Sequence, residues 1–148
     1  MKLSKTSTLA ALAVAHLSKR QDEGYVQARQ VAEYLSIPTD SALKVLQALA
    51  RRGLIKSQLG RSGGYRLDRE PGEVTLREIV EAVDGPIEAE VPIKHDGNGL
   101  DSPLEQIQRA CNRVANSIRT ELDRTSVSDL ADLDADQIIA TIEHGVAH

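Results

Sequence analysis

VQARQVAEYLSIPTDSALKVLQALARRGLIKSQLGRSGGYRL, residues 26–67, holds four short segments with no spare residues between them. Ala28 to Leu35 sets Ala28, Val31, Ala32 and Leu35 on one face at helical spacing. Ser36-Ile37-Pro38 then ends one helix and opens the next, because proline lacks an N–H and its ring suits the first turn of a helix. The second helix is expected from about Thr39 to Arg52, closed by Gly53. Ala42, Val45, Leu46 and Leu49 share its apolar face, Asp40, Lys44, Gln47 and Arg51 lie opposite, and Ser41 and Leu43 flank them. Leu54-Ile55 and Tyr65-Leu67 alternate with polar residues around Gly60-Arg61-Ser62-Gly63-Gly64, the pattern of a hairpin with a flexible basic tip. Helix, tight turn, helix and hairpin, in that order, make a winged helix-turn-helix.

The polar side of the second helix carries groups able to read base edges. A carboxylate accepts from cytosine N4, lysine donates to guanine, glutamine bridges adenine, and a leucine meets a thymine methyl. Any solvated helix also has a polar face, so this helix alone leaves both readings open; its neighbours favour DNA. The glycine run does not suit a nucleotide, since no lysine follows it as in a P-loop and no helix pattern starts behind it. A wing laid along DNA uses the same features differently, with glycine permitting close approach while Arg61 and Arg66 neutralise phosphates. The residues expected to touch DNA are Lys5, Gln27, Thr39, Asp40, Ser41, Leu43, Lys44, Gln47, Arg51, Arg61, Ser62, Gly63 and Arg66.

A net charge of −4 looks wrong for such a partner until it is divided. Residues 1–70 carry 12 Lys+Arg against 6 Asp+Glu, whereas residues 71–148 carry 6 against 16. Positive charge is concentrated on the half with the winged-helix pattern, and the acidic half is left for other work. The 148 residues suffice for one domain plus a helical extension. A single cysteine, Cys111, excludes an intrachain disulfide and suits a reducing cytoplasm. The apolar run near the N-terminus is interrupted or flanked by Lys2, Lys5 and His16, so neither a membrane span nor a leader is expected. It is read as a first helix from Met1 to about Lys19, with His16 on its surface or part-buried rather than a metal ligand. Gln21 to Gly24 is expected as a polar loop.

Beyond the hairpin, Val74-Thr75-Leu76-Arg77-Glu78-Ile79 is a full helix-start signature: Thr75 caps, Glu78 reciprocates and Val74 staples onto Ile79. That helix should end at Gly85-Pro86. Residues 86–103 have no periodicity and are expected as a loop. From Pro103 to about Arg124 an apolar stripe of Ile107, Cys111, Val114, Ile118 and Leu122 recurs at helical steps. A long helix with such a stripe either covers its own domain or packs on a copy of itself; a DNA reader gains from the second because two half-sites are then read together. Residues 126–148 are expected to add an acidic helix. The fold expected is mainly α with a small β wing: residues 1–85 a winged helix-turn-helix domain, 86–103 a loop, 104–130 a dimerisation helix, 131–148 an acidic tail.

These residues resemble the Rrf-two family of bacterial transcription regulators. The resemblance spans roughly residues 1–130 and rests on Met1-Lys2-Leu3-Ser4, the Ala42 to Ile55 helix and exit, the Gly60 to Leu67 wing, Val74 to Ile79 with Val83-Asp84-Gly85, and Thr125 to Leu130. It implies a homodimer whose winged helices bind palindromic promoter DNA and whose long helices cross; a cytoplasmic repressor is the reading adopted. Sensing relatives hold an iron–sulfur cluster on three cysteines in the loop before the long helix. The matching positions here are Pro92, Asn98 and Leu104, with Ile107 where a histidine ligand can occur, and none supplies a side-chain iron ligand. No cofactor or metal is therefore expected, and the signal would be a small molecule, a protein partner or, less readily, thiol oxidation. Cys111 is expected as a small buried residue and His95 as exposed. The alternative is a winged-helix module that holds protein instead of DNA. An enzyme has no support, for want of a nucleophile–base pair or a metal-ligand cluster.

Overall fold

A computed structural model describes residues 1–93 and 102–133, and the fold is the expected one, mainly helical with a small wing. Helix α1 runs Lys5–Ser18, starting where the Ser4 hydroxyl accepts from the Ser7 amide (2.9 Å), so the first four residues precede the helix instead of opening it. Its alanines let neighbours approach closely, and Ala10, Ala13, Val14 and Leu17 are buried at the centre of the domain. Helix α2 spans Ala28–Leu35, as expected, and helix α3 spans Thr39–Arg51. The turn between them puts Ser36 in the left-handed region (φ 54°), with the Ile37 amide donating to the Ala32 carbonyl (3.0 Å). Ala42, Val45, Leu46 and Leu49 of α3 are buried, the face read from the sequence. The Leu54 amide returns to the Leu49 carbonyl (3.1 Å) past Gly53 (φ 74°), closing α3.

Strands β1 (Lys56–Gln58) and β2 (Gly64–Arg66) pair antiparallel with Ser57 opposite Tyr65. The first strand thus starts two residues later than the alternation suggested. Leu54 and Ile55 are both buried, because they belong to the exit turn of α3 and point into the core. Val26 adds a third rung that periodicity did not announce: Val26 and Tyr65 exchange both backbone hydrogen bonds at 2.8 Å. Gly64 permits it, since a Cβ there would lie 2.3 Å from the Val26 carbonyl oxygen. The segment Gln21–Glu23, expected as loop, forms a 3-10 turn, and the Gln21 side-chain Nε2 donates to the carbonyls of Leu67 (3.0 Å) and Arg69 (2.9 Å).

Helix α4 (Leu76–Asp84) carries the expected reciprocal cap: the Glu78 amide donates to the Thr75 hydroxyl (3.2 Å) and the Thr75 amide to the Glu78 carboxylate (3.0 Å). Val74 and Ile79 are fully buried. Helix α5 (Pro103–Asp123) is 21 residues long, about 31 Å, and buries only Ala115 among its residues. Its end is tied back to the domain, with the Leu76 amide donating to the Thr125 carbonyl and the Val127 amide to the Val74 carbonyl, both 2.8 Å. Helix α6 spans Val127–Ala131 and packs on α1. The rest of the expected acidic tail, residues 134–148, and His95 lie outside the described residues.

Candidate nucleic-acid interface

The exposed side of α3 carries Thr39, Asp40, Lys44, Gln47 and Arg51, with Ser41 half-buried. Leu43, on the flank, is partly buried against the core, which leaves only part of its side chain for a thymine methyl. Lys5 from the first turn of α1 joins Ser41 and Lys44 around one cleft of about 370 Å³, with Thr6 and Pro38 on its walls. Among the described residues neither lysine makes an ion pair, so two uncompensated lysines line one cleft. The first turn of α1 is held in place by the Ser4 hydroxyl, which donates to both carboxylate oxygens of Asp84 at 2.7 and 2.8 Å.

Gln47 and Arg51 line a second groove together with Ala50 and with Ser57 and Tyr65 of the hairpin, so the wing lies beside the polar face of α3. Arg61 and Ser62 are exposed at the tip, and Arg61 makes no ion pair among the described residues. Arg66 differs: its guanidinium lies 3.9 Å from Asp68, and its Nε is buried without a partner. Asp68 is engaged more closely by Lys56 (2.7 Å), whose hydrogen bond and charge hold the Asp68 carboxyl below its ordinary value while raising the Lys56 ammonium. The base of the wing is thus neutralised internally and the tip is not.

Two of the expected contacts have structural work as well. Gly63 is buried, and a Cβ there would fall 2.1 Å from the Gln58 carbonyl oxygen, so it shapes the tip turn. Gln27 donates from its side-chain amide to the Arg61 carbonyl (3.3 Å), holding the wing tip against the start of α2. Ser57 was missed from sequence. The pairing register sets it directly opposite Tyr65, on the face that borders the groove beside α3.

Along α5, Ile107 and Val114 are 52% and 59% exposed, and Cys111, Ile118 and Leu122 are half-buried. Ala110, Val114, Ile118 and Leu122 line a shallow apolar cavity of about 540 Å³ beside Met1. A second, of about 380 Å³, lies between α5 and residues 87–90, lined by Ile87, Ala89, Cys111, Val114, Ala115 and Ile118. That segment is strapped down by the Ile87 amide donating to Glu81 (3.0 Å) and by Gln108 donating to the Ala89 carbonyl (3.1 Å).

The Rrf2 family model, described as that of an iron-dependent transcriptional regulator, matches residues 3–133. The chain belongs to the Rrf2 family. Among Rrf2 relatives, the HTH-type transcriptional regulator CymR of Bacillus subtilis is 27% identical over 131 residues, covering 88% of this chain and 90% of that protein. The solved structure of B. subtilis CymR, described as the global cysteine regulator of that organism, superposes with a TM-score of 0.72 at 26% identity, over 90% of this chain and 99% of CymR. IscR from T. potens gives a TM-score of 0.65 at 25% identity, over 88% of this chain and 85% of IscR. As an Rrf2 protein the chain is a DNA-binding transcription regulator of the helix-turn-helix type, not an enzyme.

The iron of the family's description does not fit the residues present. One cysteine per chain leaves a cluster short of thiolates, and Cys111 faces an apolar cavity. Pro92 and Ile107 are exposed, Leu104 is half-buried, and none has a donor side chain; Asn98 lies outside the described residues. Among the described residues no three His, Cys, Asp or Glu side chains gather as a metal site, and no helix is long and apolar enough to cross a membrane.

Proposed function

We propose that this Rrf2 protein binds palindromic promoter DNA as a homodimer and represses transcription in response to a small molecule or a protein partner, without an iron–sulfur cluster. The observation that carries the reading is the meeting of Lys5, Ser41 and Lys44 in one cleft, beside a wing whose tip cation, Arg61, is unpaired. Phosphate contacts from α1, α3 and the wing would set the register of α3 in the major groove, leaving Asp40, Gln47 and Arg51 to meet base edges. The stripe of Ile107, Cys111, Val114, Ile118 and Leu122, exposed at Ile107 and Val114 and half-buried elsewhere, supports pairing through α5, since an isolated protomer would leave much of it in water. Two winged helices so joined would meet half-sites about 34 Å apart.

Binding of the full-length protein to genomic fragments it enriches tests this reading. Lys44→Ala and Arg61→Ala, each removing one cation from both protomers, should each weaken binding and lower the salt slope by about two units. Unchanged affinity and slope in both variants would contradict it.

A further inference from the structure

Leu59 stands at the wing tip with 98% of its surface exposed, the most exposed large apolar side chain among the described residues. A single exposed leucine needs no explanation in general; the surroundings of this one do call for one. Its backbone is fixed from both sides. Gln58 before it is paired with Gly64, and after it Gly60 (φ 102°) opens a turn closed by the Gly63 amide on the Gly60 carbonyl (3.1 Å). Through Arg61 the same tip is fastened to Gln27 of the helix-turn-helix. A rigid tip therefore holds out an apolar side chain that touches little of its own chain.

Its company is basic and not apolar. The other exposed large hydrophobic residues, Met1, Ile93, Ile107, Val114 and Leu133, lie on the N-terminus, the segment before α5, α5 itself and the end of α6. Leu59 is thus isolated from any apolar patch that a protein partner could cover. Two residues away is Arg61, exposed and unpaired, and the groove between wing and α3 holds Arg51. An apolar tip flanked by free cations matches a surface whose walls are phosphates and whose floor is base edges, which is the minor groove of duplex DNA.

We infer that the wing inserts Leu59 into the minor groove flanking each half-site, where it selects A·T over G·C pairs. The selection is physical. Guanine N2 projects an amino donor into the minor-groove floor, and a leucine seated there both collides with it and leaves it without an acceptor, whereas A·T pairs present no such group. Arg61 neutralises the adjoining phosphate. The inference rests on the DNA-binding reading above and extends it to a residue outside the major-groove contacts.

The experiment compares wild type, Leu59→Ala and Arg61→Ala as full-length proteins on an enriched genomic fragment, over a range of salt. On that fragment the flanking positions are set in turn to A·T, G·C and inosine·C, the last being a G·C pair without its N2 amino group. Leu59→Ala should weaken binding about tenfold with no change of salt slope, because no counterion is released by an apolar contact, whereas Arg61→Ala, lost from both protomers, should lower the slope by about two. Wild type should discriminate against G·C and recover on inosine·C, and Leu59→Ala should be indifferent to all three. Wild-type affinity with Leu59→Ala unchanged, or equal sensitivity to the N2 group in both proteins, would overturn the inference while leaving DNA binding intact. So would an unchanged affinity with a lowered oligomeric mass for Leu59→Ala, which would place Leu59 between copies of the chain. Failure of wild type to bind any fragment would instead remove the DNA reading, and this inference with it.

Discussion

Replacing His16 by phenylalanine should flatten the acid limb of the stability profile. His16 is 6% exposed on α1, its ring stacked on Tyr34 of α2 at 3.9 Å with 19° between planes. Burial disfavours the imidazolium, Arg20 and Lys19 disfavour it further, Glu23 opposes them, and the pKa is lowered from 6.5 to about 4. The unfolded chain therefore binds this proton more readily than the folded one. Stability from this group is intact above pH 6.5, declines as pH falls from 6.5 towards 4, and is lost below that. At about 1.4 kcal/mol per decade the loss is about 2 kcal/mol at pH 5 and about 3 kcal/mol below pH 4, a large part of the ~5–15 kcal/mol that holds a typical domain. Urea unfolding of wild type and His16→Phe at pH 7.5 and 5.0, at one fixed protein concentration, measures it. Carboxylates common to both proteins cancel in the difference, and the phenyl ring keeps the stack. The gap between variant and wild type should shift by about 2 kcal/mol in favour of the variant on going to pH 5. An equal gap at both values, or an imidazole that titrates near 6.5 by NMR, would refute the reasoning.

Other substitutions probe the wing and the long helix. Gly63→Ala drives a Cβ against backbone at Gln58 and should distort the tip turn, weakening DNA binding at least tenfold while lowering the melting temperature by only a few degrees; anisotropy titration and calorimetry separate the two effects. Val114→Asp puts a charge on the exposed stripe of α5 and should halve the mass seen by light scattering without changing the far-UV circular dichroism; an unchanged mass would mean that the stripe is not the dimer contact. Lys44→Ala should lower affinity for every fragment by a similar factor, as a phosphate contact must, so a loss confined to some sequences would reassign it to base readout.

Local signals were legible in the sequence wherever a residue acts on its own neighbours. Thr75 with Glu78 marked the start of α4, Pro38 and Gly53 bracketed α3, and its buried face followed from spacing alone. What was hidden depends on contacts distant in the chain. Val26 joins the wing only because Gly64 leaves room for its carbonyl, a fact about three-dimensional approach that no period encodes. Leu54 and Ile55 resembled a strand since consecutive buried residues at a helix exit look like the start of one. His16 was expected at the surface or part-buried, and its burial reflects the crowding of α2, α4 and α6 around an alanine-rich α1. For the site, residue type pointed to the cations, but only geometry separated the unpaired Lys5, Lys44 and Arg61 from Arg66, which shares Asp68 with Lys56.

The most direct test of the account is the salt dependence of full-length wild-type protein binding to the genomic fragments it enriches. Three unpaired cations on each of two protomers, Lys5, Lys44 and Arg61, give an expected slope of log Kobs against log salt of about −5. A shared palindrome among the fragments, with a slope of that size and two chains per site, is the result the account requires. No enrichment, or binding indifferent to salt, would contradict it.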